Sequence, residues 1–172
     1  VDLSEHNYGV SLLNNCKYGH DIKGNVIRLT LIKTATNPDY LQDLGVHEFT
    51  YSLLPHNGDF VVGDTVKEAY ALNQPLTVMD GKATLQGSFI ELDNPYVELD
   101  AVKRSEDKEY LVVRFHEYTG SKRKVGVKLN FEYKGWMESD LRERPIEEMH
   151  TEKEIQLEVK PFEIKTILVK LA

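Results

Sequence analysis

Short runs in which apolar and polar residues alternate recur along this chain, and that period of two constrains its fold more than any other feature. Ile27, Leu29 and Leu31 are interleaved with Arg28 and Thr30, and Val97, Leu99 and Ala101 with Glu98 and Asp100. Val125, Val127, Leu129 and Phe131 alternate with smaller or polar residues, and Ile155, Leu157 and Val159 with Gln156 and Glu158. Successive side chains of a strand point to opposite faces, so each run lays one face on a core and leaves the other wetter. In VHEFTYSLL the set His47, Phe49, Tyr51 and Leu53 is expected to face inward, with Glu48, Thr50 and Ser52 opposite. The run IKTILVKL from Ile164 closes the chain as a strand.

The segments between these runs carry turn chemistry. Asn37-Pro38-Asp39, Pro55-His56-Asn57-Gly58-Asp59, Asp80-Gly81, Asp93-Asn94-Pro95 and Thr119-Gly120-Ser121 supply glycine for positive φ and proline for fixed φ. One short helix is expected over TVKEAYALNQ, with Asp64 as its N-cap, Val66, Ala69 and Tyr70 on one face and Pro75 ending it. Many short strands with one helix predict an all-β chain of antiparallel β-sandwich type. Little periodicity remains between Leu76 and Gly87, so a boundary is expected there, with residues 1–76 as one β unit and 77–172 as a smaller terminal sandwich.

The formal charge of −7 argues against a nucleic-acid partner, which requires a surplus of lysine and arginine on at least one face. The basic cluster Ser121–Lys124 is expected to be a solvated hairpin tip. The apolar runs are strand-sized, so no membrane span is expected. The single cysteine suits a reducing, cytoplasmic setting and excludes an internal disulfide framework. The opening Val1-Asp2-Leu3-Ser4-Glu5 lacks a signal-peptide pattern, and with a strand already under way by Gly9 it reads as a piece of a longer polypeptide.

No catalytic constellation emerges from spacing. His47-Glu48-Phe49-Thr50-Tyr51 ends in tyrosine where a helical zinc motif needs a second histidine, and His116-Glu117 is followed four residues after the histidine by Gly120. There is no Gly-x-Ser-x-Gly elbow, and Cys16, without a local partner, is expected to be a buried small hydrophobe. Glu91, Asp93, Glu98 and Asp100 read as solvated acids on one strand face. No catalytic residue, metal ligand or cofactor site is therefore expected within this chain.

Longer motifs carry more. DLSE (Asp2–Glu5), GVSLLNNCKYGHDIKGNVIRLTLIK (Gly9–Lys33), GVHEFTYSLLPH (Gly45–His56) and KPFEIKTILVKL (Lys160–Leu171) together resemble, in order, the C-terminal β region of glycoside hydrolase family 38 α-mannosidases of the cytosolic and bacterial type. The resemblance implies that residues 1–76 are the later part of a galactose-mutarotase-like supersandwich and residues 77–172 a small terminal sandwich. It also implies a parent enzyme that is a retaining, zinc-dependent hydrolase of terminal α-mannosides. The zinc ligands and aspartate nucleophile would lie in an N-terminal catalytic domain of the same polypeptide.

The resemblance places the corner after Leu12-Leu13 near the rim of the sugar pocket. Asn15, Lys17 and Tyr18 would then touch an α-mannoside substrate, or else merely turn and pack a hairpin corner. Asn15 and His20 stand where the family pattern has aspartate and tyrosine, so no role needing a carboxylate at position 15 carries over. HEFTYSLLPH reads as structural, and Trp136 as a core edge rather than a sugar platform. The competing implication is a free-standing carbohydrate-binding or interaction sandwich. A segment of a larger enzyme would show a large exposed apolar surface, and a binding module a compact aromatic groove.

Overall fold

The computed structural model describes residues 1–82 and 87–172, and the stretch read as a boundary includes residues outside that range. The described chain is almost entirely antiparallel β structure, with one helix, and its contacts divide it into two compact units, Val1–Asp80 and Gly81–Ala172.

In the first unit β1 (Asp2–Ser4), β2 (Gly9–Asn14) and β5 (Tyr51–His56) form a sheet in the order β1-β2-β5. β3 (His20–Lys23) and β4 (Val26–Leu29) make a separate hairpin whose two-residue loop uses Gly24 at φ 59, a conformation that costs glycine little. β4 stops at Leu29, so Leu31 lies outside the strand expected for it and is exposed. Helix α1 (Thr65–Asn73) forms where the sequence placed it, with Val66, Ala69 and Tyr70 half-buried and Pro75 just past its end. Asp64 is its N-cap but adopts a left-handed φ of 53 and makes no side-chain cap bond.

The expected inward face of VHEFTYSLL is not a core here. His47 and Phe49 precede β5, and Tyr51 and Leu53 are 56% and 64% exposed. The alternation is real, but no layer among the described residues covers that side of the edge strand. Cys16 is likewise exposed rather than buried, because it sits in the corner after β2 and not on a packed strand face.

The second unit is a two-layer sandwich. β6 (Ile90–Leu92), β7 (Val97–Arg104), β8 (Leu111–Glu117), β9 (Arg123–Leu129), β10 (Tyr133–Ser139), β11 (Ile155–Val159) and β12 (Ile164–Leu171) divide between sheets of order β10-β12-β8-β7 and β11-β9-β6. The core between them joins Val113, Phe115, Ile167 and Val169 of the first sheet to Val125, Val127, Ile155, Leu157 and Val159 of the second. Full burial of such side chains contributes roughly 1.5–3 kcal/mol each. Val112, Met137 and Leu168 form a smaller cluster with Tyr110.

Two readings of the sequence change here. β8 and β9 belong to different sheets, so Ser121 and Lys122 lie in a crossover between layers, Arg123 and Lys124 already begin β9, and the cluster is not a hairpin tip. Nor is it uniformly solvated: Arg123 lies 4.3 Å over the Tyr96 ring, and Lys122 pairs with Glu158. Trp136 is buried in the core, stacked on His150 at 4.5 Å, and its indole N–H donates to the Glu152 carbonyl.

A buried carboxylate ties the crossover down. Glu117, fully inaccessible, accepts from the Thr119 hydroxyl and from the backbone N–H groups of Thr119, Gly120, Ser121 and Phe162. Burial alone would raise its pKa, but these donors stabilise the charged form more strongly and hold the carboxyl at about 2. Gly120 takes φ 76 beneath the Phe162 ring, where a Cβ would meet Phe162 Cζ at 2.7 Å.

Candidate functional site

The corner after β2 is built by local hydrogen bonds. Asn14 Oδ1 accepts from the backbone N–H groups of Cys16 and Lys17, at 3.2 and 2.6 Å, which turns the chain immediately after the strand. Asn15 Oδ1 accepts from Thr50 N–H at 2.9 Å, while Asn15 N–H donates to the Thr50 carbonyl at 3.2 Å. Asn15 therefore fastens the corner to the residue leading into β5. His20 lies 3.4 Å from the Asn14 amide and 3.1 Å from the Tyr18 carbonyl.

Lys17 and Tyr18 differ from Asn15. The Lys17 ammonium lies 4.8 Å over the Phe49 ring, and Phe49 stacks on Tyr51 at 6.5 Å. Tyr18 is 90% exposed. A cleft of about 400 Å³ beside them is lined by Lys17, Gly19, Thr30, Lys33, Asp43 and His47. The corner thus presents an ammonium, a phenol and exposed aromatic faces, which can bind and orient a polar ligand. It presents no paired carboxylates and no activated nucleophile.

The acids singled out from sequence do not share one strand face. Glu91 is on β6, paired with Lys128 and Asn130. Asp93 follows β6 and accepts from Gly126 N–H at 2.6 Å. Glu98 and Asp100 are on β7 in the other sheet; Asp100 faces His116 at 2.9 Å, and burial pushes the Glu98 carboxyl upward. Among the described residues no group of three or more His, Cys, Asp or Glu side chains could hold a metal ion.

One constellation escaped the sequence reading. Asp2, Ser11, His56 and Thr65 converge from β1, β2, β5 and the start of α1: His56 Nε2 lies 2.7 Å from Asp2 Oδ1, and Ser11 Oγ lies 2.6 Å from both Asp2 Oδ1 and Thr65 Oγ1. It has the composition of a hydrolytic triad but not the geometry. Nε2 faces both Asp2 and Ser11, the latter at 3.2 Å, whereas a triad divides its acid and its nucleophile between the two ring nitrogens. The hydrogen bond to Asp2 raises the His56 pKa; for Asp2, burial acts upward but the bonds from Ser11, Ser4 and His56 prevail and lower it. The cluster is a polar latch fastening the helix to the sheet. Its members are far apart in sequence, and only the turn residues around His56 hinted at a special position.

The chain's relatives agree with this fold. The model described as "Glycosyl hydrolases family 38 C-terminal domain" matches residues 1–41, and that described as "Glycosyl hydrolases family 38 C-terminal beta sandwich domain" matches residues 96–167. The chain belongs to glycosyl hydrolase family 38, as part of its C-terminal region.

It is 34% identical over 180 residues to human Alpha-mannosidase 2C1, a match covering 99% of this chain and 17% of that protein. Alpha-mannosidase G of Dictyostelium discoideum is 32% identical over 181 residues, covering 96% of this chain and 16% of that protein. A solved family 38 protein from Enterococcus faecalis superimposes with a TM-score of 0.70 at 20% identity, covering 99% of this chain and 22% of the other. The chain thus spans about a sixth of the length of these curated relatives.

Proposed function

We propose that this chain is a non-catalytic C-terminal part of a family 38 α-mannosidase, and that it supports a catalytic domain carried elsewhere in the same polypeptide. The whole enzyme would hydrolyse terminal α-mannosides with retention, using zinc held outside this chain. The one cysteine, exposed and unpaired, fits a cytoplasmic enzyme.

The observation that carries this reading is the apolar surface of the first unit. Tyr40, Leu44, Val46, Tyr51 and Leu53 are all exposed, Val46 at 93%, and β5, guarded only by Pro55 near its end, is a sheet edge among the described residues. Large exposed apolar side chains gathered along one stretch of chain beside an open sheet edge mark a surface made to be covered. A larger body packed over it accounts for both features, and the much greater length of the relatives supplies one.

Within that arrangement Lys17 and Tyr18 serve at the rim of the sugar pocket, with Asn15 setting the loop that presents them. The whole enzyme with Tyr18→Ala or Lys17→Ala is expected to raise KM for an aryl α-mannoside several-fold while kcat changes little. Unchanged KM in both variants removes the rim role. Hydrolysis of the same substrate by the isolated chain with added zinc refutes the dependence on another domain.

A further inference from the structure

A second cleft, of about 740 Å³, opens on the terminal sandwich. That volume is ordinary for a small-molecule site. Gly126, on β9, is among the residues that line it. The Gly126 N–H donates to Asp93 Oδ1 at 2.6 Å and its carbonyl accepts from Asp93 N–H at 3.1 Å, so the carboxylate is clamped over the strand. A Cβ on Gly126 would meet Asp93 Oδ2 at 2.5 Å and Gln156 Nε2 at 2.8 Å. The missing side chain therefore lets a carboxylate oxygen and an amide nitrogen sit together above the backbone. Neither of those two atoms has a hydrogen-bond partner among the described residues.

The rest of the cleft is equally fixed. Phe131 forms an apolar wall, held by stacking on Phe89 at 4.3 Å and edge-on contact with Tyr133 at 6.2 Å. Glu91 is held by Asn130 at 2.6 Å and Lys128 at 3.4 Å. Lys153 is folded over the Tyr133 ring and bonded to its carbonyl. Four acids, Glu91, Asp93, Glu132 and Glu154, face only Lys128 and Lys153, which disfavours an anionic ligand. The central floor offers an acceptor and a donor side by side, suited to neighbouring hydroxyl groups, and the aromatic wall suits the C–H face of a sugar ring.

We propose that this cleft binds a neutral saccharide: Asp93 Oδ2 accepts from one hydroxyl, Gln156 Nε2 donates to its neighbour, and the ring lies against Phe131. The site holds glycan and does no chemistry on it. The choice of a saccharide rests on the mannosidase reading, whereas the geometry of the cleft stands without it.

The test is an NMR titration of the 172-residue chain with methyl α-mannoside and a mannose trisaccharide. Expected are shifts in the Asp93, Gly126 and Gln156 amides, with a roughly millimolar dissociation constant. Gln156→Ala, at an exposed position, is expected to weaken binding about tenfold, as is Asp93→Asn, with folding checked through Trp136 fluorescence. Absence of shifts at saturating sugar, or shifts that Gln156→Ala leaves unchanged, overturns the proposal. Because the readout involves no hydrolysis, its failure leaves the mannosidase reading standing, and an inactive full-length enzyme leaves a measured cleft affinity standing.

Discussion

Replacing Glu117 with glutamine isolates what one buried charge contributes to this fold. Oε1 accepts from the Thr119 N–H and hydroxyl, and Oε2 from the N–H groups of Gly120, Ser121 and Phe162. An amide nitrogen in place of either oxygen would point a donor at donors. A carboxyl held at about 2 against an ordinary 4.5 corresponds to about 3 kcal/mol of folding stability at neutral pH. The part-buried N–H donors are what set that value, so their loss is already counted in it and Glu117→Gln is expected to cost roughly 3 kcal/mol.

The sign of the pH dependence follows from the lowered value. The contribution is complete above pH 4.5 and is lost as the pH falls through 2, so wild type and variant should converge over that interval. Chemical denaturation at several pH values, followed by fluorescence of Trp136 in the same unit, measures the difference directly. Other carboxylates titrate in both proteins and cancel in the comparison. A cost below about 1 kcal/mol at neutral pH, or a gap that persists at pH 2, would refute the assigned role of this carboxylate.

Three further expectations concern other parts of the fold. The latch between His56 and Asp2 should hold best between pH 3.8 and 6.5: the histidine's share is lost as pH rises through its raised value, and the aspartate's as pH falls through its lowered one. Hydrogen exchange of the Ser11 and Leu12 amides, corrected for intrinsic rates, should therefore quicken above pH 6.5, and His56→Gln should abolish that trend. Gly135→Ala would drive a Cβ to 2.6 Å from the backbone oxygen of His150; it should cost roughly 2 kcal/mol by urea denaturation, and a neutral result would mean that β10 can shift. Leu53→Lys should change the melting temperature of the isolated chain very little, at under about 0.5 kcal/mol, yet clearly destabilise the full-length polypeptide; equal effects in both would deny that β5 is covered there.

What could be read directly from the sequence was whatever depends on near neighbours. The runs Val125–Leu129 and Ile155–Val159 became neighbouring strands of one sheet, with their apolar side chains in the core, because alternation records a strand with one buried face. α1 appeared over its expected residues because its packed face and Pro75 are local signals. The family motifs were legible for a different reason, since they are long, unusual and in order.

The rest depended on partners distant along the chain. Residues 121–124 look like a hairpin tip, and only strand pairing shows that β8 and β9 part into separate layers. Glu117 ends a strand like any surface acid until Phe162 and the Thr119 turn close around it. Asp93 and Gln156 meet above Gly126 because β6, β9 and β11 are neighbours in one sheet, which neither residue's own surroundings encode. A chain's alternation fixes which side chains share a face, but burial and charge partnering depend on what packs against that face, and the tertiary structure alone supplies that information.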